Sequence, residues 1–256
     1  MTSHAPARIL AIALSLALVA YGAVSIAGLL ARETQTRSAT YQGVTAIELD
    51  TSFENVDVVA ADDADSVEMS RRWSWSLEQP TVSAEQDGDR LVISSRCPFS
   101  PGLWCTGRVT LTVPPDVRVS GGVSDGHLVV DGLTSALDLR TSDGSMELRG
   151  LSGDLRLVTR DGSLRGTDIT SDEVTVESSD GSTRLAFARP PSSVRATTRD
   201  GSLELRLPDD GTPYDVSVDV ADGSQEVTVP TASRSARKVT VDAHDGSVRV
   251  LTGPAG

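Results

Sequence analysis

Apolar and polar residues alternate with a period of two along most of this chain, and from about residue 119 the alternation itself repeats. A series of seven Asp-Gly pairs begins at Asp125, Asp143, Asp161, Asp180, Asp200, Asp222 and Asp245, at spacings of 18, 18, 19, 20, 22 and 23 residues. Six are followed by serine; the first is followed by His127. Six residues before each Asp stand Val119, Leu137, Leu155, Val174, Val194, Val216 and Val239. The third and fifth positions after it are mostly apolar, as in Leu128 and Val130 or Met146 and Leu148. The fourth position between them is charged in six repeats: Glu147, Arg165, Arg184, Glu204, Glu226 and Arg249. Each unit therefore reads as strand, Asp-Gly turn, strand, with one apolar face throughout.

Two architectures satisfy this parity. A two-residue hairpin loop would pair the strands of one unit with each other. A β-solenoid would turn a corner at each Asp-Gly and stack equivalent strands of successive units. Self-similarity at a fixed period favours the solenoid, because stacking makes equivalent positions neighbours. The fourth-position charges agree in part. Glu147–Arg165, Arg184–Glu204 and Glu226–Arg249 would pair between successive coils, whereas Arg165–Arg184 and Glu204–Glu226 would repel. The expected fold is all-β, a β-solenoid-like stack of about 18–23 residues per coil, preceded by one transmembrane helix.

The pattern changes toward the N-terminus. Residues 9–31 carry no charge. A helix of that length spans roughly 34 Å, enough for a hydrocarbon core of about 30 Å. The competing reading is a cleaved signal peptide, but the run is long for one and no small-x-small site stands out after it. The expected organisation is a short cytoplasmic tail (1–8), a signal anchor (9–31), a polar linker (32–40), irregular first coils with a cap (41–120) and the Asp-Gly-Ser repeat region (121–252). Arg8 on one side and Arg32 and Arg37 on the other leave the positive-inside rule near a tie. Cys97 and Cys105, the only cysteines, help to orient the chain. Their spacing suits neither a Cys-x-x-Cys redox pair nor a zinc site, and a disulfide pinning the Pro- and Gly-bearing loop between them fits best. A disulfide belongs in an oxidising compartment, which puts the large C-terminal part outside the cell membrane.

Composition then excludes partners. The formal net charge is −13, a field that repels phosphate backbones, so no nucleic acid partner is expected. Carboxylates occur one per repeat rather than as a catalytic pair. His127 and His244 sit at turns far apart in the array, which leaves no nucleophilic triad. Stacked aspartates could attract calcium, but Asx-type turns account for them equally well, and the glycine-rich nonapeptide calcium pattern is missing. The chain reads as a non-enzyme without a cofactor. Trp73, Trp75 and Trp104 gather near the presumed cap. They read first as a plug for the open end of the stack and second as a ligand platform.

Val109-Thr110-Leu111-Thr112-Val113-Pro114, the Asp-Gly-Ser series and the upstream cysteine pair together resemble the bacterial putative-adhesin domain family over roughly residues 41–252. The resemblance implies a β-solenoid-like domain on the outer face of the membrane, with no established reaction. The function expected is adhesin-like binding or structure at the cell envelope, with an envelope protein or cell-surface glycan as partner. The alternative is a regulatory or sensory partner in an envelope-stress system, coupled to a neighbour through residues 9–31.

Overall fold

The computed structural model describes residues 12–19, 21–23, 32–98 and 104–253. Nineteen strands follow one another along the described chain. They are β1 (Arg32–Gln42), β2 (Ala46–Thr51), β3 (Glu54–Ala60), β4 (Ser66–Ser76), β5 (Thr81–Asp87), β6 (Arg90–Arg96), β7 (Cys105–Val113), β8 (Arg118–Val123) and β9 (His127–Asp131). The repeat region continues with β10 (Leu137–Thr141), β11 (Ser145–Arg149), β12 (Leu155–Thr159), β13 (Ser163–Ile169), β14 (Glu173–Ser178) and β15 (Ser182–Phe187). The last are β16 (Ser193–Thr198), β17 (Ser202–Leu207), β18 (Asp215–Val227) and β19 (Lys238–Thr252).

The repeat strands stack in parallel and in register. Leu137, Leu139 and Thr141 of β10 lie against Leu155, Leu157 and Thr159 of β12, and Met146 and Leu148 of β11 against Leu164 and Gly166 of β13. The strands of one unit are thus not partners of each other, and the fold is an all-β solenoid. One ladder climbs through β8, β10, β12, β14 and β16, the other through β9, β11, β13, β15 and β17. Their inward residues form a single core running from Val44 and Ile47 to Val248 and Val250. Leu133, Leu151 and Ile169 close the core on the return bends, where backbone bonds such as Thr170 N–H to Leu151 O (2.8 Å) continue the stacking.

The corners are stacked rather than self-bonded. The N–H groups of Asp143, Asp161 and Asp180 donate to the carbonyls of Ser124, Ser142 and Arg160 in the preceding coil, each at 2.9 Å. Gly144, Gly162 and Gly181 do not adopt the positive φ that a two-residue hairpin turn demands. They are glycine because a Cβ at any of them would collide with the carbonyl oxygen of the glycine one coil below. At these three corners close approach between coils, not turn conformation, selects the residue.

Coil order departs from chain order at both ends. The coil β2–β3 is made first, yet it lies between β6–β7 on one side and β8–β9 on the other. At the far end β19 inserts between β16–β17 and β18, so the last strand made is internal and β18 is terminal. This exchange resolves one of the repulsions foreseen from sequence. Arg249 now stands between Glu204 and Glu226, and its guanidinium meets the Glu204 carboxylate at 2.9 Å. Glu204 is also held by Arg206 at 2.7 Å, so it bonds these two arginines although Arg184 is its register partner on the other side.

One sequence expectation is corrected by the strands. Residues 32–40 are not a linker but most of β1, which pairs antiparallel with β4 along its whole length. Nearly all of its side chains are exposed, so backbone hydrogen bonding holds it and no apolar face marks it in the sequence. The segment 41–120 contributes two true coils out of order, together with the antiparallel strands β4 and β5 that cover the N-terminal end. Residues 12–19 and 21–23 are helical, with Ile12, Leu14, Leu16 and Leu18 exposed. Among the described residues no helix is long and apolar enough to cross a membrane. Residues 1–8 and the remainder of the expected 9–31 anchor lie outside the described residues.

Candidate functional site

Three places bring chemistry together: the N-terminal cap, the Asp-Gly-Ser edge, and a groove beside that edge. The cap is built on β4, whose inward positions are Val67, Met69, Arg71, Trp73 and Trp75, all buried. Arg71 is 2% exposed and Glu54, from β3, is fully buried. The guanidinium binds the carboxylate with both arms, Nε to Oε1 at 2.9 Å and Nη2 to Oε2 at 2.5 Å. It also donates to the carbonyls of Ser83 (2.7 Å) and Ser94 (2.8 Å). One arginine therefore ties together β3, β4, β5 and β6. Trp73 and Trp75 are 3% and 4% exposed, so neither ring offers an open face to a ligand. Trp104 is half-buried, with the Arg32 guanidinium 5.1 Å from its ring centre and Cys105 beside it. Cys105 is disulfide-bonded to Cys97 across a Cα separation of 5.9 Å. The cap thus uses its aromatic rings as packing, and Trp104 alone of the three keeps part of its surface open.

The Asp-Gly-Ser edge forms a trough of about 700 Å³ along the five corners from Asp125 to Ser202. Asn55 joins the edge to the cap coil, its Oδ1 accepting the His127 N–H at 2.9 Å. Stacking crowds the aspartates. A hydrogen bond shared with Asp180 holds the Asp161 carboxyl above the ordinary carboxylate range, reinforced by desolvation and by the charges of Asp180 and Asp143. Desolvation raises Asp200 first, followed by a hydrogen bond with Asp180 and the charges of Asp180 and Asp245. Just inside the same corner runs a buried column of hydroxyls, Thr141, Thr159, Ser178 and Thr198, none with a protein hydrogen-bond partner. At the upper end of the trough, donor atoms of Asp200, His244 and Asp245 lie within 4.8 Å of one another, with His244 and Asp200 exposed and Asp245 half-buried. Their chemistry suits a divalent cation, but exposed acidic groups commonly reach this spacing without one.

A larger concavity lies on the outer face of the first ladder. It is a groove of about 940 Å³ spanning β12, β14, β16, β19 and β18. Val158, Thr175, Thr197 and Ala221 supply short uncharged side chains, and Glu177, Arg195, Arg199 and Asp242 supply charge. Sequence reasoning did not find it. Most of its residues are the outward positions of successive strands, which alternation marks only as solvated, and the register that aligns them comes from stacking.

A family model, Toastrack DUF4097, matches residues 116–251. The chain belongs to the Toastrack DUF4097 family. This agrees with the resemblance to the putative-adhesin family drawn from the Asp-Gly-Ser series and residues 109–114. The match spans the repeat strands and most of the out-of-order C-terminal coil, and leaves β1 to β7 outside. No curated protein sequence matches this Toastrack chain. Among solved structures it is similar to a putative cell adhesion protein from Clostridium sporogenes (11% identity, 86% of this chain and 100% of that one, TM-score 0.42). It is also similar to putative adhesins from Parabacteroides merdae (13%, 86% and 96%, TM-score 0.49) and Bacteroides fragilis (12%, 86% and 97%, TM-score 0.35).

Proposed function

We propose that this Toastrack chain is a non-catalytic binding module of the cell envelope, adhesin-like in role, held to the membrane through residues 9–31 with its solenoid outside the cytoplasm. The observation that carries the reading is the groove over β12, β14, β16, β19 and β18. It offers about 940 Å³ across five stacked strands, and its lining mixes short apolar and hydroxyl side chains with charges of both signs. That lining suits a cell-surface glycan or a polar segment of an envelope protein. Uncharged exposed residues 12, 14, 16 and 18 support the anchor, and the Cys97–Cys105 disulfide supports an oxidising compartment.

The test captures ligands from cell-wall glycans and from envelope proteins on the chain carrying Thr197→Trp, in comparison with wild type. The bulky ring fills the groove on an outward position and leaves the core untouched. Loss of a specific ligand with unchanged thermal unfolding supports the reading; capture that is indifferent to Thr197→Trp sinks it. Alkaline extraction of membranes tests the anchor separately: the full chain stays with the lipid, and a chain starting at Arg32, which retains every strand, is released. Specific cross-links from residues 9–31 to one membrane protein would favour the regulatory role over the adhesin-like one.

A further inference from the structure

The two ends of the solenoid are unlike. At the N-terminal end the antiparallel strands β1, β4 and β5 cover the ladders, and Trp73, Trp75 and the Arg71–Glu54 pair fill the core. At the other end, β18 is terminal and pairs, among the described residues, only with β19. Its inward residues Val216, Val218 and Val220 remain half-buried, and Val227 is 39% exposed. Their partners in β19, Val239, Val241, Ala243 and Val250, are buried. Terminal repeats of solenoids ordinarily carry a cap.

Backbone direction makes this edge a template. The Asp215 N–H donates to Arg237 O on the β19 side at 2.8 Å, so alternation turns the N–H and C=O of Val216, Val218 and Val220 outward. The chain itself begins a strand there. Tyr214 N–H donates to Pro230 O at 2.9 Å, and Ala232 N–H donates to Tyr214 O at 2.8 Å, the bonding of a parallel bridge. The segment then turns away at Ser235, whose N–H bonds Ala232 O, and the edge beyond Tyr214 is left open.

Charge selects the occupant. β18 carries Asp215, Asp219, Asp222 and Glu226 and no basic residue. Lys238 and Arg249 of β19 stand beside Asp215 and Glu226, but Asp219 lies beside Asp242 and Asp222 beside Asp245. Two like-charge columns thus end at the open edge. A second copy of β18 would bring more carboxylates to them. We propose that β18 is a docking edge for an extended basic polypeptide segment that adds as a further strand. Apolar residues of that segment cover Val216, Val218 and Val220, and a Lys or Arg between them stands over Asp219. Main-chain bonds give the affinity and the alternating side chains give the selectivity.

The experiment uses the full chain in mild detergent and a labelled, end-blocked peptide alternating Val and Arg over seven residues, with the corresponding Val/Glu peptide as control. Fluorescence anisotropy reads binding, and amide hydrogen exchange reads its place. The expected result is saturable binding of the Val/Arg peptide with slowed exchange at Val216, Val218 and Val220. Binding of the Val/Glu peptide should be at least tenfold weaker, and Asp219→Lys, an exposed position, should reverse the order of preference while leaving unfolding unchanged. Protection elsewhere than β18, equal binding of both peptides, or no binding would overturn the proposal. So would sedimentation of the unliganded chain as a dimer in which β18 amides are already protected. A Val158→Trp variant, which obstructs the same groove four strands away from β18, should bind the peptide normally, which keeps this test distinct from that of the groove.

Discussion

Single residues separate what stabilises this fold from what it tolerates. Tyr214 is fully buried, and its hydroxyl has no hydrogen-bond partner among the described residues; burial, reinforced by the charge of Asp210 and opposed by that of Arg237, pushes its pKa up to about 12. A buried hydroxyl without a hydrogen bond costs about 1–3 kcal/mol. Tyr214→Phe should therefore leave stability unchanged or raise it by about 1 kcal/mol in denaturant unfolding, whereas a destabilisation would reveal a missing partner. Asp161 and Asp200 act in the opposite sense to most folded carboxylates. The folded chain holds their protons more tightly than the unfolded chain does, so their ionisation on raising the pH through and above the ordinary carboxylate range lowers stability. Asp161→Asn and Asp200→Asn should raise the melting temperature at pH 7. The gain should fade as the pH falls below the ordinary carboxylate range, where both forms are neutral; a gain that persists at acid pH would point to another cause. The aspartates themselves were legible in the sequence, since their spacing defined the repeat. Their mutual perturbation was not, because it depends on coil-to-coil distance.

Strands and corners show why the repeat is so regular. Alternation identified the inward faces correctly, from Leu137, Leu139 and Met146 to Val248 and Val250, because a half-buried strand must alternate. The corner glycines could be seen but were open to misreading. A hairpin wants glycine for positive φ, whereas this stack wants it for the space above a carbonyl. Gly162→Ala should cost at least 2 kcal/mol in unfolding measurements through a backbone clash, comparable to overpacking a core. Gly88, an open turn with positive φ and nothing near it, should lose only the smaller penalty of a strained φ when changed to Ala. β1 escaped the sequence reading because an edge strand held by its backbone needs no apolar face. Arg71 and Glu54 escaped it because a buried ion pair between residues 17 positions apart leaves no local signal. Arg71→Met should destabilise by about 3–5 kcal/mol, since it strands a buried carboxylate, and Glu54→Leu added to it should recover part of the loss. A double variant no better than the single one would mean that the two carbonyl contacts of Arg71 dominate.

At the scale of the whole molecule, the architecture was accessible from sequence and the order of its layers was not. Self-similarity makes every coil compatible with every other, so it cannot say which neighbours which. The fourth-position charges held the one usable clue: Glu204 and Glu226 would repel if stacked directly, and Arg249 separates them. Arg249→Glu removes the ion pair with the nearly buried Glu204 and restores three stacked carboxylates. It should lower stability by more than the ~1 kcal/mol of an ordinary surface pair, with the deficit shrinking at high salt. A loss below that figure would mean that packing of Val239, Val241 and Val250 alone fixes the order.

The inserted position of β19 also constrains how the chain acquires its fold. During synthesis β18 emerges before β19, when the exposed top of β16 and β17 is the only parallel edge open to it. Docking there would be in register and would look locally correct, yet it would set Glu226 directly on Glu204 and leave residues 238–252 to stack outside it. The coil must stay off that edge, or leave it again, until the last strand has been made, and the meeting of Glu204 with Glu226 disfavours the premature arrangement. The carboxylates that Arg249 holds apart in the finished stack therefore act as a timing device, keeping its final layer vacant for the strand that arrives last.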